Sequence, residues 1–172
     1  VLEEIVEAGA LDAMRFHALA VYLVRYAADR EMVKLGIGML GILVGTDERE
    51  CLLAIGGHEE FPLYVAVALA RSLESPDSAL WELARSSRGW GRIHAVERLA
   101  ATRDPKIRGW MLREGFRNEI MDEYLAYTCA TAGGLAAAMA AEDIDDALLD
   151  GAGSILSALL HGGPAEDIED YD

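Results

Sequence analysis

The stretch Trp90-Gly91-Arg92-Ile93-His94-Ala95-Val96-Glu97-Arg98-Leu99 gathers indole, imidazole, carboxylate and guanidinium groups in a short run. At about 100° per residue in a helix, Ile93, Val96, Leu99 and Ala100 turn toward a core, leaving Trp90, His94, Glu97 and Arg98 on another face. A face of that kind can anchor an extended peptide, with the indole as a hot spot and the charged groups fixing orientation. The competing reading packs Trp90 between helices and leaves His94 merely exposed.

His94 with Glu97 and Glu123 also brings together group types that ligate metals or move protons near neutral pH. The spacing does not support it: there is no Glu-x-x-His pair and no His-Glu-x-x-His, and His17, His58, His94 and His161 are scattered. Asp143, Asp145, Asp146 and Asp150 lack the alternation of a calcium loop and read instead as an acidic helix start. Nucleophile elbows, phosphate-binding glycine loops and dinucleotide fingerprints do not occur. No catalytic residue, metal ligand or cofactor is assigned.

Charge narrows the partner classes. Thirty acidic side chains oppose fifteen basic ones, a formal −15 over 172 residues. Such a surface repels phosphate, which argues against nucleic-acid binding. The distribution is uneven: residues 85–117 carry a formal +6, and residues 118–172 carry thirteen acids and no Lys or Arg. An electrically bipolar molecule is expected, able to steer a complementary protein or to self-associate through its opposed ends.

The elements that must position these groups are helical. Ala and Leu number 51, against nine Val and four Thr, and unbranched side chains lose little freedom in a helix. The longest apolar runs, near 35–44 and 61–70, are about half of the roughly 20 residues a membrane span needs. No membrane association is expected. Cys51 and Cys129 form no metal or disulfide spacing, and the opening Val-Leu-Glu-Glu has no signal-peptide pattern, so reduced thiols and a cytoplasmic setting are expected.

Self-comparison at an offset of 29 aligns Thr46, Ser75, Asp104 and Gly133, followed by Asp47, Pro76, Pro105 and Gly134. A capping residue followed by proline marks a helix start. The same offset aligns Leu23, Leu52, Trp81, Trp110 and Met139, which reads as core, beside Ala54, Leu83, Leu112 and Ala141. Second helices are expected from near Glu60, Gly89 and Asn118, carrying Val67, Val96 and Leu125. Helices over about 11–28 and 31–44 form a longer first pair, in which Gly36, Gly38 and Gly41 permit close approach. An amphipathic helix with Asp143, Asp145 and Asp146 in its acidic first turn closes the array.

This pattern resembles the HEAT and armadillo-like helical repeats. Asp104-Pro105-Lys106-Ile107-Arg108 is similar to the opening of a HEAT first helix, and the short spacing is closest to the HEAT-like repeats of phycobilisome-lyase-related proteins. The resemblance covers roughly residues 11–160, with the domain taken as residues 1–161 and the acidic residues after Gly162-Gly163-Pro164 marking 162–172 as a tail. It implies an all-α fold, an α-α superhelix of about five stacked helix pairs. It also implies a concave face lined by second helices. Stacked in register, Trp90, His94 and Arg98 would stand beside Glu119, Glu123 and Tyr127, with Phe61, Val65 and Leu69 on the other side. These six residues from Trp90 to Tyr127 are the candidate binding site of a non-catalytic protein- or peptide-binding module. Two alternatives are an enzyme resembling the HEAT-like alkylpurine DNA glycosylases or using a metal, and a structural subunit assembling through its charged ends.

Overall fold

The computed structural model describes residues 12–43 and 48–171, and every regular element among them is helical. Leu11, Val44, Thr46 and Asp47, used above to place helix ends, lie outside the described residues. None of the described helices is long and apolar enough to cross a membrane. The chain divides into two compact units, 1–83 and 84–172.

In the first unit, α1 (Ala13–Tyr26) pairs with α2 (Arg30–Leu40), and α3 (Arg49–Gly56) pairs with α4 (Pro62–Ser72). α5 (Asp77–Ser86) begins after Ser75-Pro76, where the repeat predicts a helix start, and the division between units falls inside it. Asp12 and Asp29 cap α1 and α2, accepting backbone N–H bonds from Met14, Arg15 and Glu31 at 2.8–3.1 Å. The glycines act as expected at two places. A Cβ on Gly36 would sit 2.9 Å from that of Leu23, and one on Gly41 would sit 2.8 Å from the Ala68 backbone, so α2 approaches both α1 and α4 closely.

In the second unit, α6 (Gly89–Glu97) precedes α7 (Pro105–Trp110), which runs on into a π-helical turn, Met111–Gly115. Asp104 caps α7 by accepting from the Lys106 N–H at 2.8 Å, with Pro105 at the first helical position as the sequence predicts. α8 (Glu123–Gly133) ends at Gly134, whose φ of +73° breaks the chain before the short α9 (Leu135–Met139). α10 (Asp146–His161) starts at the predicted acidic turn. Asp145 accepts from the Leu148 N–H at 2.7 Å and from Arg113 at 2.6 Å. α10 lies so close to the π-helical turn that a Cβ on Gly151 would run into the Leu112 carbonyl oxygen. After Gly162 the chain doubles back, and the Ile168 N–H donates to the Leu159 carbonyl at 3.2 Å.

The recurring column predicted as core divides. Leu52 is buried, Leu23, Trp81 and Trp110 are half-buried, and Met139 is exposed. The adjacent column supplies Leu83 and Leu112 to the core, whereas Ala54 and Ala141 face solvent. A 29-residue period locates helix starts better than it locates faces, because small changes in loop length rotate each helix about its axis.

Candidate functional site

The site residues predicted from sequence all lie in the second unit. α6 presents Trp90, half of its surface exposed, although an indole is among the groups most favoured by burial. His94 lies one turn on, its ring stacked toward Trp90 at a centroid distance of 6.2 Å. Its Nδ1 is 3.2 Å from Glu97 Oε2, an i,i+3 pair on the helix surface. Arg98 folds back and donates from Nη1 to the His94 carbonyl at 2.7 Å.

The other half of the predicted site is displaced. Asn118 does not begin a second helix: α8 starts at Glu123, and residues 118–122 form a loop built on the fully buried Asn118 amide. Its Oδ1 accepts from the Ile120 and Met121 N–H groups at 2.9 and 3.0 Å, and its Nδ2 donates to the Phe116 and Met121 carbonyls. Glu119 takes φ +69°, a left-handed conformation costly for a residue with a Cβ. The register shift moves Glu119 toward Arg88, 3.9 Å away, and puts Tyr124 against Trp90. The two ring centroids are 4.9 Å apart with planes tilted at 58°, a favourable aromatic geometry.

Glu123 opens α8 and Tyr127 lies one turn on, both half-buried. Phe61, Val65 and Leu69 are buried in the core of the first unit and provide no exposed apolar groove end.

Sequence reasoning missed Ile120, Met121 and Tyr124. Ile120 and Met121 are exposed at the tip of the Asn118 loop, and Ile120 lies over Gly89, next to Trp90. The available signal was an Asn, a strong turn former, followed within a few residues by two adjacent large apolar side chains.

Beyond Tyr124, a cleft of about 610 Å³ opens between α8 and α10, lined among others by Asp122, Glu123, Leu149, Asp150, Ser154 and His161. Burial pushes the Asp122 carboxyl above its ordinary value, with the Arg117 charge opposing. Arg92 is held differently: it donates from Nη2 to the Glu114 carbonyl at 2.7 Å, and its guanidinium lies 5.2 Å over the Trp110 ring. Burial lowers its pKa. No group of three or more His, Cys, Asp or Glu among the described residues could hold a metal ion, so His94, Glu97 and Glu123 do not converge on one.

The bipolar charge expected from sequence is folded partly onto itself. Arg113 pairs with Asp145 at 2.6 Å and Arg117 with Asp150 at 2.7 Å, each joining the basic segment to the acidic one inside the second unit. What remains there is a formal excess of seven acids. Comparison with protein-family models, with curated proteins and with solved structures finds no match to this chain.

Proposed function

We propose that this protein is a non-catalytic, helix-pair repeat module that binds a protein or peptide partner through the surface formed by α6, the Asn118 loop and the start of α8. The observation that carries this reading is the half-exposed Trp90 tilted against Tyr124 beside the exposed Ile120 and Met121. Solvent-exposed aromatics clustered with aliphatic groups on a rigid frame are what hot spots are made of, and a pre-built frame reduces the ordering cost of association. The fully hydrogen-bonded Asn118 and the left-handed Glu119 supply that frame, at a conformational cost that a plain connection would not carry. His94 stacks toward the anchor, and Arg98, Glu119, Glu123 and Tyr127, carried by the same helices and loop, set orientation. No chemical step is assigned to any of them.

Selection of peptides from a random display library against the intact protein tests the reading. Enriched peptides should lose binding to Trp90→Ala and to Ile120→Ser, and keep it with Tyr64→Ala, an exposed aromatic in the first unit. Failure to enrich any peptide, or enrichment indifferent to Trp90 and Ile120, would overturn it.

A further inference from the structure

The apolar surface around Trp90 carries its own statement about the charge of what covers it. We propose that the partner segment is basic as well as apolar: a stretch whose aliphatic side chains cover Trp90, Ile120 and Met121 while neighbouring Lys or Arg side chains face Asp122 and Glu123 and enter the cleft between α8 and α10. This rests on the binding surface proposed above and adds the chemical class of its occupant.

Three observations favour a cationic segment over a neutral or acidic one. First, cations near the surface are already engaged. Arg88 lies 3.9 Å from Glu119, and Arg98 donates to the His94 carbonyl, Arg92 to the Glu114 carbonyl and Arg117 to Asp150, at 2.7 Å each. Asp122 and Glu123 stand at the mouth of the cleft without a Lys or Arg nitrogen within 4.0 Å among the described residues. Second, half of the Trp90 indole is exposed, and an indole attracts guanidinium or ammonium groups more strongly than any other side-chain ring does. Third, the cleft, at about 610 Å³, has room for an extended side chain, and its lining includes the apolar Leu149 and Ala158, against which the methylenes of Lys or Arg can pack. The acid excess of the unit adds long-range attraction for the same sign of partner.

The test uses the full chain and two dye-labelled peptides, (Leu-Arg-Ala-Arg)3 and its charge-reversed form (Leu-Glu-Ala-Glu)3, titrated by fluorescence anisotropy at about 150 mM salt. The basic peptide should bind and the acidic one should not. Binding should weaken about tenfold in the isosteric double variant Asp122→Asn/Glu123→Gln and in Trp90→Ala, a loss of about 1.4 kcal/mol. Glu142→Gln/Asp143→Asn, which removes the same charge from an exposed connection, should stay within about twofold of the parent. Equal weakening by the two double variants would mean bulk attraction and overturns the inference. Equal binding of both peptides, still lost in Trp90→Ala, also overturns it while leaving the α6–α8 surface as a binding site. Binding of neither peptide overturns the inference, and the display selection then decides the surface reading separately.

Discussion

The Trp90 indole lies with its ring centroid 4.9 Å from that of Tyr124, tilted by 58°, so that helix α8 supports the most exposed aromatic of helix α6 from beneath. Half of Trp90 still faces solvent, so its removal takes away about half of the area that a core indole buries, together with the Tyr124 contact. Trp90→Ala should therefore lower stability by about 1.5–2.5 kcal/mol, half of the 3–5 kcal/mol of a core aromatic. Thermal melts of the variant and its parent check this. A loss of core magnitude would mean that Trp90 is a structural residue and not an anchor.

Two glycines two positions apart on α10 should respond oppositely to alanine. A methyl at Gly153 meets no atom within 4 Å, and alanine in a helix interior is favoured over glycine by about 0.5–1 kcal/mol. At Gly151 the methyl would collide with the Leu112 carbonyl, a backbone group that cannot move aside without shifting the π-helical turn. Gly153→Ala should raise the melting temperature by a few degrees and Gly151→Ala should lower it by much more.

The Asn118 loop yields a pair of substitutions of opposite sign. Asn118→Ala deprives the Ile120 and Met121 N–H groups of their acceptor and should cost about 1–3 kcal/mol. Glu119→Gly relieves a left-handed backbone and should be neutral or stabilising by up to about 1 kcal/mol. Denaturant midpoints at constant slope distinguish the two.

Asp145 sets an acid limit. Arg113 and then the Leu148 N–H hold its carboxyl below the ordinary value, so the folded state binds this proton less readily than the unfolded chain does. The associated stability is complete above the unfolded value of about 3.9 and disappears as pH falls through the lower folded value. Asp145→Asn keeps a capping acceptor but removes the charge. Its melting temperature should lie below the parent's at pH 7, and the gap should close under acid conditions.

Asp122 has the reverse sign. Its carboxyl is raised, chiefly by burial, so folding opposes its ionisation and stability falls as pH climbs from about 3.9 through the raised folded value. Asp122→Asn should be as stable as the parent at pH 7, or more stable by up to about 0.5 kcal/mol, and should lose that advantage below pH 4. A side chain that weakens the fold yet supports binding of a cationic peptide separates the two roles in one variant.

Local signals in the sequence transferred well to the structure. Asp104-Pro105 and Asp145 mark helix starts because a capping oxygen and a fixed φ act within one turn, independently of the rest of the chain. Faces transferred less well. Trp81 and Trp110 occupy a column that contains the buried Leu52, yet both are half-buried, since their orientation depends on the helices packed around them. Asn118 misled for a chemical reason: the same side chain serves a helix N-cap or a tight turn, and only the neighbouring carbonyls of Phe116 and Met121 decide which. That choice displaced α8, replaced Glu119 by Tyr124 as the neighbour of Trp90, and put Ile120 and Met121 on the surface.

Two-dimensional NMR of isotope-labelled protein titrated with the basic (Leu-Arg-Ala-Arg)3 peptide separates docking on the α6–α8 surface from diffuse attraction to acidic segments. Concentration-dependent shifts are expected at the Trp90 indole N–H and the backbone amides of Glu119 to Tyr124. Shifts confined to the acids of residues 142–146 and 166–170, with Trp90 unmoved, would rule out docking there.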